Sequence, residues 1–167
     1  GIQNEIKISG VDIKKIHFLN GDEIILKNLY QNASLFVYPS LEEGFGIPPL
    51  EAMSQSCPVI ASNIAVFRET LDNACLYFDP NSISDISSKI ENVLKDKNEV
   101  TKLIDLGIQR KKIFTWKKCA EKFLRPLNFD VNLESIQSPD DYLEMSCAFS
   151  CLLQADRGCF ASWIVPN

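Results

Sequence analysis

The sequence predicts an α/β fold: a parallel sheet of about four strands, covered by helices on both faces. Short apolar runs rich in β-branched and aromatic residues alternate along the chain with segments whose apolar residues recur at helical spacing. The length of 167 residues is enough for one domain with a sizeable core and too little for two full α/β domains. Hydrophobic residues make up 46% of the chain and charged residues 23%, proportions typical of a folded domain.

The first part of the chain predicts a strand, a helix and a second strand. "KKIHFLN", at 14–20, has the length and apolar content of a short strand. "DEIILKNLYQNA", at 22–33, has the apolar spacing of a helix that opens near Asp22. "SLFVYPS", at 34–40, is β-branched and aromatic and closes at Pro39, so it predicts a buried strand.

The following segments continue this alternation. A helix carrying "LEAMSQS" is expected to begin near Pro48 or Pro49, because proline fits the first helical position and disfavours the helical conformation in the residue before it. Two more short apolar runs predict strands: "PVIAS" at 58–62 and "CLYFDP" at 75–80. Two amphipathic helices are expected after them: "SISDISSKIENVLKD" at 82–96 and "EVTKLIDLGIQRKKI" at 99–113.

The segment "EEGFGIPPLEAM", at 42–53, is the candidate site, because a loop between a parallel strand and the next helix lies where open α/β sheets bind ligands. Gly44 and Gly46 let a ligand approach the backbone closely, while the amides and dipole of the following helix favour a phosphate. Glu51, expected in the first turn of that helix, could accept from both hydroxyls of a ribose. Glu43 could reach the group beyond the phosphates.

Each of these residues also has a purely structural explanation. Glu51 could simply complement the helix dipole, an effect of about 0.3–1 kcal/mol. Glu43 could be a solvated loop carboxylate and Phe45 a plug for the core, and the glycines could merely form a turn. The combination of these residues on one strand, loop and helix favours a binding site.

Charge and cysteine content exclude several classes of function. The formal net charge of -5 opposes binding to nucleic acid or to anionic membranes. No apolar run approaches the roughly 20 residues that span a bilayer, and the N-terminus lacks the apolar region of a signal peptide, so the protein is expected in the cytoplasm without a transmembrane segment. Cys57 and Cys75 border apolar runs and are expected to be buried free thiols. The cysteines near the C-terminus contain no CxxC pair, so no metal site is expected.

The stretch "LYQNASLFVYPSLEEGFGIPPLEAMSQSCPVIASN", with "CLYFDP" and "FTW" downstream, resembles the C-terminal nucleotide-sugar domain of the retaining glycosyltransferases of family 4. The resemblance runs from Val11 to Leu124, and the E-x7-E pattern from Glu43 to Glu51 around "GFGIP" is highly specific. These enzymes have the two-domain GT-B fold. The resemblance therefore implies that the α/β sheet is an incomplete Rossmann-like sheet, the C-terminal half of that fold.

The resemblance also implies residue roles. In that family the second glutamate holds the ribose hydroxyls of a UDP- or GDP-sugar, the loop amides face the diphosphate and sugar, and the first glutamate lies beside the transferred sugar. Glu43 is thus the implied catalytic residue, acting electrostatically or by orienting a hydroxyl. The implied substrate-binding residues are Gly44, Phe45, Gly46, Ile47 and Glu51. No metal or other cofactor is implied, since the helix end and basic side chains take the charge of the departing nucleoside diphosphate.

Three departures from the family pattern are expected to matter. The strand and glycine-rich turn whose arginine, with a lysine a few residues on, grips the diphosphate have no counterpart here, and neither does the N-terminal domain with the acceptor site. We therefore expect a fragment of marginal stability that needs a missing N-terminal domain or a partner chain. Its sheet is expected either to close up or to stay gapped between 14–20 and 34–40. Ser56 stands where the family usually has glycine, and a left-handed conformation there would cost serine on the order of 1 kcal/mol.

The chain is expected to divide into a partial nucleotide-sugar-binding domain at 1–125, a linker at 126–141 and a C-terminal tail at 142–167. Within the tail, "YLEMSCAFSCLLQ" has the pattern of one amphipathic helix. The sequence does not fix the origin of this tail.

Two classes of function remain open at this stage. The first is the donor-binding part of a retaining hexosyltransferase, inactive alone, which moves a hexose from a UDP- or GDP-sugar to an acceptor hydroxyl in glycan or polysaccharide biosynthesis. Such an enzyme would work in the cytoplasm, where the missing domain could hold it at the membrane surface. The second is a non-catalytic module that binds nucleotide sugars or packs against a partner.

Overall fold

The computed structural model describes residues 6, 8–19, 22–115 and 162–164. The helices there are α1 (Glu23–Asn32), α2 (Ile47–Ser54), α3 (Ala65–Thr70), α4 (Ile83–Lys95) and α5 (Lys97–Lys111). The strands are β1 (Leu35–Tyr38), β2 (Val59–Ser62), β3 (Leu76–Phe78) and β4 (Ser162–Ile164). Strands therefore alternate with helices through most of the described chain.

The strands form one sheet in the order β3-β2-β1-β4. The pairs β1 with β2 and β2 with β3 are parallel, with Val37 opposite Ile60 and Ile60 opposite Leu76. The fourth strand, β4, lies antiparallel to β1 and comes from the segment predicted as a tail. The predicted linker at 126–141 and the predicted tail helix lie outside the described residues.

The side chains of β1 alternate between the two faces of the sheet. Phe36 and Tyr38 join the core cluster that α1, α2 and α3 cover, whereas Leu35 and Val37 join the cluster covered mainly by α4 and α5. All four are buried. The predicted α/β fold with helices on both faces is therefore confirmed.

The predicted strand at 14–20 does not form over its described residues, 14–19. Ile13–Lys15 is a single 3-10 turn capped by Asp12, whose carboxylate accepts from the amide of Lys14 at 3.0 Å. The residues that follow it, as far as Leu19, are irregular. In the described part of the chain no strand lies beside this segment, and its amides make local bonds instead, such as Ile16 N–H to the carbonyl of Ile13 at 3.1 Å. The parallel part of the sheet consequently has three strands.

A close helix contact holds α2 in place. A Cβ at Gly107 of α5 would lie 2.9 Å from Cγ of Met53 in α2, so only glycine lets the two helices approach this closely. Met53 is buried beneath this contact. The helix that follows the candidate loop is thus fixed from both sides, by the sheet and by α5.

The two cysteines in the described core behave as predicted. Cys57 and Cys75 are free and buried. Burial raises the pKa of each thiol to about 12. As for the membrane, none of the described helices combines the length and apolarity needed to cross a bilayer.

Candidate functional site

The candidate loop lies at the carboxyl end of β1, as the sequence predicts. Strand β1 ends at Tyr38 and α2 begins at Ile47. Because β1 and β2 are parallel, both end at this edge of the sheet, and the loop follows directly. The arrangement is the strand, loop and helix unit that carries ligand sites in open α/β folds.

The start of α2 differs from the prediction by one residue. Gly46 caps the helix in the left-handed conformation, with φ 84° and ψ 54°, and Ile47 is the first helical residue. Pro48 and Pro49 therefore occupy the second and third helical positions, where they supply no N–H. The amides that can face an anion here belong to the loop and to Ile47 more than to the body of the helix.

The two loop glycines meet different surroundings. A Cβ on Gly46 would lie 2.5 Å from Cε1 of Phe67, a fully buried ring on α3. A Cβ on Gly44 would have no atom within 4 Å. Gly46 is thus required by the fold, whereas the exposed backbone at Gly44 is open to approach from solvent.

Glu51 lies in the second turn of α2, so the prediction that placed it in the first turn is wrong. The reason is that α2 begins at Ile47, before the expected prolines, so Glu51 lies at least one position further from the start of the helix. The helix dipole acts within the first turn only, so complementing it does not explain Glu51. Instead, the half-buried carboxylate accepts a hydrogen bond from the hydroxyl of Tyr30, with 3.2 Å between Oη and Oε2.

Glu43 has the same kind of partner. Its Oε1 accepts a hydrogen bond of 2.6 Å from the hydroxyl of Tyr38, the last residue of β1. The Glu43 side chain is half-buried, whereas Glu42 beside it is exposed. The structure therefore separates two adjacent carboxylates, one held towards the sheet and one in solvent.

Both tyrosines belong to the core. Tyr30 is 2% exposed and Tyr38 is 1% exposed. Burial raises the pKa of Tyr30 well above its usual value, and the negative charge of Glu51 adds to this effect. The hydroxyl of Tyr30 thus stays protonated and donates to Glu51.

Phe45, at the tip of the loop, packs edge-on against Phe114, with ring centroids 5.4 Å apart. Phe45 is still 38% exposed, so it does not fill the core, which was the purely structural explanation for this residue. The guanidinium of Arg110 lies 5.1 Å above the Phe114 ring and donates to the backbone carbonyl of Thr70 at 2.9 Å. The tip of the loop is thus joined to the end of α5.

Sequence reasoning placed Glu43, Glu51 and the loop glycines but missed Tyr30, Tyr38 and Phe114. A tyrosine within an apolar run has the same pattern as any core residue. Nothing in the spacing shows that its hydroxyl faces a glutamate 5 or 21 positions further on. The available signal was physical: a buried tyrosine hydroxyl needs a partner.

Residues 5–110 match the family model described as "Glycosyl transferases group 1". The chain is 52% identical over 68 residues to the O-antigen chain mannosyltransferase RfbU of Salmonella typhimurium, a match that covers 41% of this chain and 19% of the relative. It is 42% identical over 94 residues to the O-antigen chain mannosyltransferase B of Escherichia coli, covering 56% of this chain and 25% of the relative.

A longer match, at 32% identity over 147 residues, is to the serotype-specific mannosyltransferase WbdA of Escherichia coli, with 84% of this chain and 18% of the relative covered. This chain therefore spans a quarter or less of the length of these relatives.

Among solved structures, the sucrose-phosphate synthase from Thermosynechococcus elongatus superposes with a TM-score of 0.69 at 24% identity. The superposition covers 75% of this chain and 32% of the synthase. It supports the α/β architecture, and the match to the family model spans well over half of the sequence. On these grounds the chain belongs to the glycosyl transferases group 1 family.

Proposed function

We propose that this chain is the donor-binding part of a retaining glycosyltransferase of family 4, the C-terminal half of a GT-B fold. It would bind a UDP- or GDP-sugar, from which the complete enzyme moves a hexose to an acceptor hydroxyl in polysaccharide biosynthesis. The names of the relatives favour mannose as the hexose and an O-antigen chain as the acceptor. The enzyme would work in the cytoplasm, with its other domain able to hold it at the membrane surface.

The observation that carries this proposal is the pair of half-buried glutamates on either side of the glycine loop. Glu43 and Glu51 each accept from a buried tyrosine hydroxyl, and the loop between them ends at the start of α2. A carboxylate that is held in one orientation can accept from two neighbouring hydroxyl groups of a sugar. We assign the ribose of the donor to Glu51 and the transferred hexose to Glu43.

The loop would stabilise the charge that develops during transfer. As the bond between the sugar and the phosphate breaks, negative charge grows on the leaving oxygens and positive charge grows on the sugar ring. The amides of Gly44, Phe45, Gly46 and Ile47 are the proposed donors to the diphosphate, and the Glu43 carboxylate is the proposed counter-charge for the ring. Because Pro48 and Pro49 supply no N–H, the donors are the loop amides and the amide of Ile47, the first helical residue.

The acceptor site is assigned to a second domain, in the same longer protein or in a partner chain. This chain covers between 18% and 25% of the relatives' lengths, so most of each relative has no counterpart here. We expect donor binding without transfer when this chain is assayed alone.

Isothermal titration with UDP, GDP, UDP-glucose and GDP-mannose tests the donor assignment. We expect saturable binding, and we expect Glu51→Ala to weaken it by about 1–3 kcal/mol because a charged acceptor of the ribose hydroxyls is lost. Glu42→Ala is the matched control, since it removes an exposed carboxylate from the same loop. An affinity unchanged in Glu51→Ala, or lowered equally by both variants, contradicts the ribose assignment.

A further inference from the structure

The two glutamates of the candidate site share one kind of hydrogen bond, to which the family resemblance gives no role. Each accepts a hydrogen bond from a core tyrosine: Tyr30 from α1 reaches Glu51, and Tyr38 from β1 reaches Glu43. The oxygen-to-oxygen distances are 3.2 Å and 2.6 Å. The tyrosines come from different elements, yet both bring a hydroxyl from the core to a carboxylate of the loop and helix.

The rings of these tyrosines belong to one aromatic series. Tyr30 contacts Phe36 edge-on at 5.4 Å between ring centroids, and Phe36 stacks on Tyr38 at 5.7 Å. Tyr38 in turn lies 5.6 Å from Phe67. Phe67 is the ring that excludes a side chain at Gly46.

All four rings are buried, so their positions relative to one another are fixed by close packing. The aromatic series therefore connects both carboxylates and the left-handed glycine through one rigid layer. A half-buried glutamate has three side-chain torsions, and a hydrogen bond to one of its oxygens restricts all of them. The hydroxyls hence restrict the directions in which each carboxylate can face.

We propose that Tyr30 and Tyr38 are positioning residues that hold Glu51 and Glu43 in the orientation that grips the sugar nucleotide. This inference rests on the proposed function, because it assigns the ribose to Glu51 and the hexose to Glu43. The two tyrosines thereby have separable effects. Tyr30 acts on the affinity for the nucleotide, whereas Tyr38 acts on the extra affinity that the attached hexose contributes.

Tyr30→Phe and Tyr38→Phe test the proposal, because each removes one hydroxyl and keeps the ring in the aromatic series. Titration with GDP and GDP-mannose is expected to show binding of both ligands weakened about 3- to 10-fold in Tyr30→Phe. In Tyr38→Phe, GDP is expected to bind as in the wild type and GDP-mannose about 3- to 10-fold more weakly. UDP and UDP-glucose serve as the second ligand pair.

Double variants separate positioning from a general structural effect. Tyr30→Phe is expected to change nothing further in a Glu51→Ala background, and Tyr38→Phe nothing further in a Glu43→Ala background. Tyr77→Phe is the matched control. The Tyr77 hydroxyl lies within hydrogen-bond distance of two backbone carbonyls, 2.5 Å from that of Asp72 and 2.9 Å from that of Phe67, so its loss is expected to leave both affinities unchanged. Affinity losses that persist in the glutamate variants, or that Tyr77→Phe reproduces, overturn the proposal.

Urea unfolding without ligand distinguishes the two ways of failing. Shifts in the unfolding midpoint from Tyr38→Phe and Glu43→Ala are expected to be non-additive, as are those from Tyr30→Phe and Glu51→Ala. Additive shifts overturn the tyrosine proposal and leave the donor assignment standing. Absence of saturable binding by the wild type, tested with all four ligands, overturns the proposed function.

Discussion

Gly46 is the residue on which the shape of the loop depends most directly. Its φ of 84° lies in the left-handed region, and the Phe67 ring occupies the space that a side chain would need. The ring is itself buried between α3 and the aromatic series, so it cannot turn away into solvent. Backbone strain and overpacking consequently act together at this position.

Gly46→Ala is predicted to lower the free energy of unfolding by about 2–5 kcal/mol, the sum of the costs of a left-handed alanine and of an overpacked contact. Urea unfolding followed by circular dichroism measures this loss. Gly44→Ala is the control, because the space around it is open, and it is expected to change stability by no more than about 0.5 kcal/mol. Equal losses in the two variants would show that the Phe67 contact does not determine the need for glycine.

The residues of the site were predictable from sequence to different degrees. Glu43 and Glu51 were identified because their spacing around "GFGIP" is specific. Their hydrogen-bond partners were not, since Tyr30 is 21 residues from Glu51 and the contact exists only after α1 and α2 pack on the same face of the sheet. Long-range contacts of this kind leave no local pattern in a single sequence.

At the scale of elements, the end of α2 shows how a local departure from the family pattern is accommodated. Ser56 has φ 61°, the left-handed conformation that costs serine more than glycine. The amide of Ser56 donates to the carbonyl of Met53 at 3.2 Å, and the amide of Cys57 donates to the carbonyl of Ala52 at 3.0 Å. This pair of bonds is a Schellman motif, in which glycine is the residue most often found at the left-handed position.

Ser56→Gly is predicted to raise the free energy of unfolding by about 1 kcal/mol, because glycine adopts the left-handed conformation without a steric cost. Ser54→Gly makes the same replacement two residues earlier, inside α2, and is predicted to lower stability by about 0.5 kcal/mol. Thermal or urea unfolding of both variants provides the comparison. A fall in stability with Ser56→Gly would mean that the serine side chain contributes more than its backbone costs.

The elements that the sequence predicted correctly are those with strong local signals. Strand β1 has a run of four buried apolar residues, and α1 opens at Asp22, whose carboxylate accepts from the amide of Ile25 at 3.0 Å. The six-residue α3 was not predicted because it is short and has neither a side-chain cap nor a proline at its start. The segment at 14–20 failed for a different reason: an apolar run becomes a strand only when a neighbouring strand is there to bond with it.

At the scale of the whole molecule, the packed sheet and helices bury two thiols of the described residues in the core. Cys75 precedes β3, and Cys57 lies just before β2, on the face covered by α1, α2 and α3. Burial raises the pKa of both thiols to about 12, and for Cys75 the hydroxyl of Tyr77 and the charge of Arg68 oppose this rise. An unfolded chain has no such burial, so its thiols ionise near pH 8.5.

The stability of the whole molecule should therefore fall in alkaline solution, and Cys75→Ala should reduce the slope of that fall. Each native thiol binds a proton that the unfolded chain has already lost above about pH 8.5, so folding is favoured fully below that pH and progressively less up to about pH 12. The slope per thiol approaches about 1.4 kcal/mol per pH unit, and removing Cys75 subtracts up to that amount. Urea unfolding at several pH values between about 8 and 11 measures both slopes.

Ala74→Gly is the control, because it truncates a neighbouring buried side chain without removing a thiol and should keep the slope of the wild type. A slope unchanged in Cys75→Ala would mean that this thiol ionises as easily in the native protein as in the unfolded chain.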